Sequence, residues 1–221
     1  MQTIRIDLVS DVACPWCAIG HRRLEQALEM LDGEVAVELV WQPFELNPGM
    51  AHEGEPILEH LCRKYGQDEA SVRRSQDEIV AIAEGLGLDF TRARERRAHS
   101  TFDAHRLLAW AGEHGHETAL QRALFDAYFG RAEHPGDPAV LRAAAEQAGL
   151  DGDEAGSVIA SDRYADEVRA AKQRFTAAGV DGVPAFILAG RYLIQGAQPP
   201  AALAEAIREV AAGVNAPANE P

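Results

Sequence analysis

The chain has 221 residues, 47% of them hydrophobic, and sets 35 acidic against 21 basic residues for a formal net charge of −14 at pH 7. That acidic balance disfavours nucleic acid and anionic membrane surfaces as partners, and no apolar run approaches the ~18 residues that a membrane helix needs. No apolar leader precedes the first strand and there are 3 cysteines. The expected compartment is therefore the cytoplasm, where cysteines serve as reactive groups rather than as a structural disulfide framework.

Residues 4–9 are apolar-rich with β-branched side chains, which predicts a strand, and Ser10-Asp11 then signals a turn or helix start. Leu24, Leu28 and Leu31 recur at helical spacing behind Cys14-Pro15-Trp16-Cys17, so a helix is expected to run to about Leu31. Residues 35–41 alternate as a second strand, expected to lie parallel to the first in a βαβ unit. A Pro/Gly-rich irregular stretch follows over 43–56. Helices are predicted at 57–65, 69–85, 103–113, 117–128, 138–148 and 165–178, punctuated by glycines. Asp137-Pro138 forms a cap pair. Arg92, Arg94, Arg96 and Arg97 interleave with Glu95 and suggest a solvated helix face. The runs 186–188 and 191–194 flank Ala189-Gly190 as a hairpin, a last helix covers 199–211, and the tail 213–221 is expected to fray.

Two cysteines with two residues between them form either a redox pair or half of a metal site. The pair lies where a strand ends and a helix begins, and the unpartnered N–H groups of a first helical turn stabilise a thiolate there. Pro15 suits a first-turn position, having no N–H to leave unsatisfied. Cys14, at the exposed tip, is the expected nucleophile, and Cys17, one turn deeper, the resolving thiol. Zinc would need Cys14 and Cys17 joined by His21 and a fourth ligand such as Cys62. No second paired-ligand motif exists, so no metal is expected. Cys62 lies on the apolar face of its helix and reads as a packing residue. His21 either tunes the thiols or sits on a helix surface. Trp16 offers no charge to a thiolate, so the pair is expected to be less oxidising than a Cys-Pro-His-Cys site.

The stretches Ser10-Asp11-Val12-Ala13-Cys14-Pro15-Trp16-Cys17-Ala18-Ile19-Gly20, Trp41-Gln42-Pro43-Phe44-Glu45-Leu46-Asn47-Pro48, Thr101-Phe102-Asp103-Ala104-His105-Arg106-Leu107 and Gly182-Val183-Pro184 are spread over nearly the whole chain. Together they resemble the DsbA-family thioredoxin-fold oxidoreductases, most nearly the FrnE-like group. The resemblance implies an α/β thioredoxin fold with a large inserted helical domain. Residues 1–50 and 179–213 would form the thioredoxin-like domain, 51–178 the insertion and 214–221 a flexible tail. It implies a cis Val183–Pro184 bond facing the cysteines, with the Val183 backbone free to pair with an extended substrate segment. It also brings 101–105 near the redox site. Pro15, Trp16, Val183, Pro184, Phe44, Phe102 and His105 are thus the expected substrate contacts, although core packing of Phe44 and a staple role for Phe102 are equally open. Related proteins often carry a buried acid six residues before the first cysteine, which is Leu8 here. Asp7 and Asp11 read as solvent-facing and receive no proton-transfer role.

The expected activity is thiol–disulfide exchange with protein or peptide thiols and disulfides. No cofactor is needed beyond the Cys14–Cys17 pair, and glutathione is a possible co-substrate. A glutathione-dependent isomerase or transferase acting on a hydroxychromene carboxylate or polyketide intermediate is the alternative, followed by a thiol-linked chaperone.

Overall fold

A computed structural model describes residues 3–51 and 53–214. Its sheet has four strands in the order β2-β1-β5-β6, with β1 (Thr3–Ser10) parallel to β2 (Ala36–Pro43). β1 is antiparallel to β5 (Ala185–Leu188), which forms a hairpin with β6 (Tyr192–Gln195). Alternation along β1 sorts its side chains between two layers. Ile4, Ile6 and Leu8 join the main core with α1 (Pro15–Leu31) and α9 (Pro200–Val214), while Val9 faces Phe175, Val180 and Ala185 on the other side.

Between β2 and β5 the chain forms α2 (Ile57–Tyr65), α3 (Glu69–Gly85), α4 (Phe102–Glu113), α5 (Glu117–Phe125), α6 (Pro138–Gln147), α7 (Gly152–Ile159) and α8 (Ala165–Ala177). A second core of Leu107, Trp110, Leu120, Leu124 and Leu141 holds α4 to α7 together. This is the thioredoxin fold with helices interposed between its two halves. Asp137 caps α6 by accepting from the Ala139 and Val140 N–H groups.

Several elements differ from expectation. The helix predicted to reach residue 128 gives way at Asp126 to a π turn, Asp126–Gly130. α7 is short and contains two glycines, so its apolar period is too brief to read, yet Asp151 caps it from its side chain. The arginine-rich stretch is a set of turns leading into β4 (Arg97–Ala98), which pairs with β3 (Glu55–Pro56). Arg96 is buried there rather than solvated. Residues 213 and 214 belong to α9, and the rest of the tail that was expected to fray lies outside the described residues. Among the described residues, no helix is long and apolar enough to cross a membrane.

β2 is an edge strand, and α5 satisfies part of its open edge. The Trp41 N–H donates to Glu117 Oε2 at 3.2 Å and the indole N–H to Thr118 Oγ1 at 2.9 Å. Burial raises the Glu117 carboxyl to about 7, against the opposing pull of the Trp41 hydrogen bond. A raised acid pKa means that the folded state holds its proton longer than the unfolded chain. No penalty exists below the unfolded value near 4.5, and it grows as pH rises until it is complete above about 7. Glu117→Gln keeps an acceptor for Trp41 without the charge. It is expected to gain about 3 kcal/mol over wild type at pH 8 and little at pH 4. Urea denaturation at the two pH values checks this, and equal stability at pH 8 would contradict it.

Candidate active site

Cys14 is the residue before the first turn of α1, in extended conformation (φ −91°, ψ 113°), with Pro15 as the first helical residue. No side chain caps this helix and its first turn holds no acid. Its partial positive charge is therefore left to the Cys14 sulfur. The Cys14 thiol donates to the Val183 carbonyl at 3.6 Å, and the Val183–Pro184 peptide is cis. The residues expected to meet from opposite ends of the chain do so here.

Cys14 is not the exposed tip that its position suggested, being only 4% exposed. It forms part of the floor of a groove of about 360 Å³, with Trp16, Leu46, Ile57, Tyr128 and Val183 around it. Trp16 is 37% exposed at the rim. Cys17 is fully buried, and burial, then the Cys14 sulfur, push its thiol well above the ordinary value, against weaker pulls from the Ser10 hydroxyl and the Asp11 backbone. When Cys14 enters a covalent bond, its contribution to that suppression ends.

Asp11 is buried, which corrects the solvent-facing reading. Its carboxylate accepts from Ala13 N–H at 3.1 Å and Leu46 N–H at 2.7 Å, and lies 3.5 Å from His105 Nε2. Burial alone would raise its pKa, but the nearby His105 imidazole and the two backbone donors outweigh burial and lower it. Asp11 thus ties the loop before Cys14 both to the loop after β2 and to α4. Asp7 is also largely buried, held by Arg5 and by Gln42 Nε2 at 2.7 Å. Within the loop after β2, Lys64 of α2 donates to the Leu46 carbonyl at 2.9 Å and to Asn47 Oδ1 at 2.8 Å. His60 bridges Asn47 and Glu55.

The remaining sequence candidates divide by place. Pro15, Trp16 and Val183 line the groove, and Pro184 lies behind it against α1. His105 faces Asp11 rather than the groove. Phe102 lies under the Arg169 guanidinium, 5.1 Å away, and Phe44 packs against the cluster of Val9, Phe175 and Val180; neither lines the groove. His21 is buried with its ring 4.8 Å from that of Trp41, not on the helix surface. Burial lowers its pKa to about 4, so it is neutral near pH 7 and offers the thiols no charge. Cys62 is half-buried and is not among the groove residues. Among the described residues, no group of three or more His, Cys, Asp or Glu could hold a metal ion. Sequence reasoning missed Arg96, Asn47 and His60 as residues of the groove, since none carries a local pattern that separates it from ordinary surface chemistry.

The model of the DSBA-like thioredoxin domain matches residues 5–208, and the chain belongs to that family of thiol oxidoreductases. The structure of a probable DsbA oxidoreductase from Streptomyces coelicolor is 38% identical, with a TM-score of 0.89 over 99% of this chain and 94% of that one. An uncharacterised Bacillus subtilis protein, YwbO, is 29% identical over 89% of this chain and 92% of its own length. A 2-hydroxychromene-2-carboxylate isomerase is 15% identical, with a TM-score of 0.67 over 96% of this chain and 100% of that one. That last likeness concerns the fold alone.

Gly20 sets how closely α1 approaches the 183–184 loop. A Cβ there would lie 2.9 Å from Pro184 Cγ and 3.3 Å from Phe186 Cζ. Gly20→Ala is expected to cost about 1–3 kcal/mol through overpacking and to slow disulfide exchange as the Val183 carbonyl moves off Cys14. Urea denaturation and a reductase assay check both effects. Full stability with full activity would show that the contact is slack.

Proposed function

We propose that this chain is a dithiol–disulfide oxidoreductase of the FrnE-like group, acting on protein or peptide disulfides in the cytoplasm. The observation that carries the reading is the uncapped start of α1 at Cys14, with the Val183 carbonyl 3.6 Å from its sulfur at the floor of a groove. An extended substrate strand laid along Val183 would bring its sulfur to Cys14.

In the reducing direction, Cys14 as thiolate attacks one sulfur of the substrate disulfide, and the other sulfur leaves as a thiolate that takes up a proton. The Cys14–substrate mixed disulfide removes the charge that had opposed ionisation of Cys17. Cys17 then loses its proton and attacks Cys14 Sγ, releasing the second substrate thiol. Two electrons pass from the enzyme dithiol to the substrate, and the enzyme ends as the Cys14–Cys17 disulfide. The oxidising direction is the same sequence reversed. Within the groove, Trp16 and Leu46 offer apolar contact beside the reacting sulfur.

The groove volume also falls in the range of small-ligand sites. That observation favours a second reading, a glutathione-linked isomerase acting on a small aromatic carboxylate. Insulin reduction separates the two. Wild type is expected to reduce insulin with a thiol donor, and Cys14→Ser to lose at least about 100-fold, a loss of the size expected when the attacking group is removed. Absence of reduction by wild type, with chromene isomerisation that survives Cys14→Ser and Cys17→Ser, would replace the first reading by the second.

A further inference from the structure

Arg96 lines the same groove as Cys14 and is 6% exposed. One guanidinium N–H donates to the Ala93 carbonyl, while the Nε–H has no hydrogen-bond partner. The guanidinium carbon lies 5.6 Å from the Tyr128 ring centroid and 5.2 Å from that of Phe129. Burial pulls Arg96 down from its ordinary pKa, and the groups opposing this are the Tyr128 phenol and the Cys14 thiol. An arginine keeps its charge under such conditions. A buried cation without a counter-ion is costly to fold around, so the candidates for its counter-ion matter. Tyr128 is a poor one, because burial pushes its phenol up and its hydroxyl donates to the Arg97 carbonyl at 3.0 Å. Cys14 is the group that becomes an anion when the redox cycle runs.

We propose that Arg96 is a positioning residue that acts as counter-ion to the Cys14 thiolate, so that the pair is more oxidising than neutral Trp16 alone would make it. The proposal rests on Cys14 as the nucleophile. Other charged groups around Cys14 are already engaged. Cys17, on the same helix, is held protonated by burial. Asp11, in the loop before Cys14, opposes a second anion nearby, but its charge is shared among His105 and two backbone donors. From α2, Lys64 is bound to Leu46 and Asn47, and His60 lies between Asn47 and Glu55. Val183 contributes only its carbonyl. Among the described residues that line the groove, Arg96 is thus the buried cation left for the sulfur. A stabilised thiolate favours the reduced enzyme and so raises the reduction potential.

The test titrates the ultraviolet thiolate absorbance of Cys14 in a Cys17→Ala/Cys62→Ala background carrying Arg96, Arg96→Met or Arg96→Lys. Methionine keeps apolar contact with the two rings and removes the charge. Its midpoint is expected to rise by about one pH unit, a roughly tenfold loss of thiolate on the acidic limb, while lysine restores most of the wild-type behaviour. With the Cys14/Cys17 pair intact, Arg96→Met is expected to favour the disulfide by up to about tenfold in a glutathione equilibrium, about 30 mV more reducing. Unchanged midpoints in a folded Arg96→Met protein would overturn the proposal. If that variant does not fold, Arg96→Gln against Arg96→Lys gives the same comparison, and equal midpoints overturn it. Insulin reduction by wild type with an unmoved midpoint would sink the role of Arg96 alone. A moved midpoint without insulin reduction would uphold Arg96 and sink the disulfide substrate.

Discussion

The antiparallel register of β1 and β5, with Val9 opposite Ala185, is the constraint on which the site depends. It places the loop leaving β1 beside the loop entering β5 and so sets Cys14 against Val183, 169 residues away in sequence. Everything else in the core maintains that meeting. α1 and α9 cover one face of the sheet through Leu24, Ile207 and their neighbours. The absence of a side chain at Gly20 lets α1 approach Pro184 closely enough to fix the distance. Asp11 then locks the loop before Cys14 to two further elements, using a carboxylate that is kept ionised in spite of its burial.

The two cysteines differ because the fold places them differently. Cys14 lies beneath a groove, at a helix start whose N–H groups no side chain occupies. Cys17 is sealed in the core, where ionisation is opposed by burial and by its partner. The same tetrapeptide thus holds one thiol at a groove and one sealed in the core, the arrangement that the proposed order of attack uses. The interposed helices complete the arrangement. α2 clamps the 46–47 loop at the groove rim, and the π turn brings Tyr128 to its wall.

The parts of this architecture that local pattern controls were legible in the sequence. Apolar period, glycine stops and the Asp137-Pro138 cap located α2, α3 and α6 closely, and the strand–CxxC–helix order with a distant Val-Pro pointed to the meeting of Cys14 with Val183. What was not legible depends on tertiary burial. Asp11 and His21 have the sequence surroundings of surface residues, yet packing against α4 and Trp41 encloses them. Arg96 belongs to a run of alternating charges that suggests a solvated helix, and only the turn before β4 carries it inward over Tyr128 and Phe129. Cys14 looked exposed because local sequence shows the end of a strand but not the groove above it.

The order of attack is the central claim, and trapping the mixed disulfide tests it most directly. Cys17→Ser and Cys14→Ser proteins, each with Cys62→Ser, would be treated with a peptide disulfide and mapped by mass spectrometry. The structure predicts a stable adduct on Cys14 in the Cys17→Ser protein, forming orders of magnitude faster than any adduct on Cys17 in the Cys14→Ser protein, whose thiol is sealed and held protonated. Comparable rates at the two positions, or faster capture by Cys17, would contradict it.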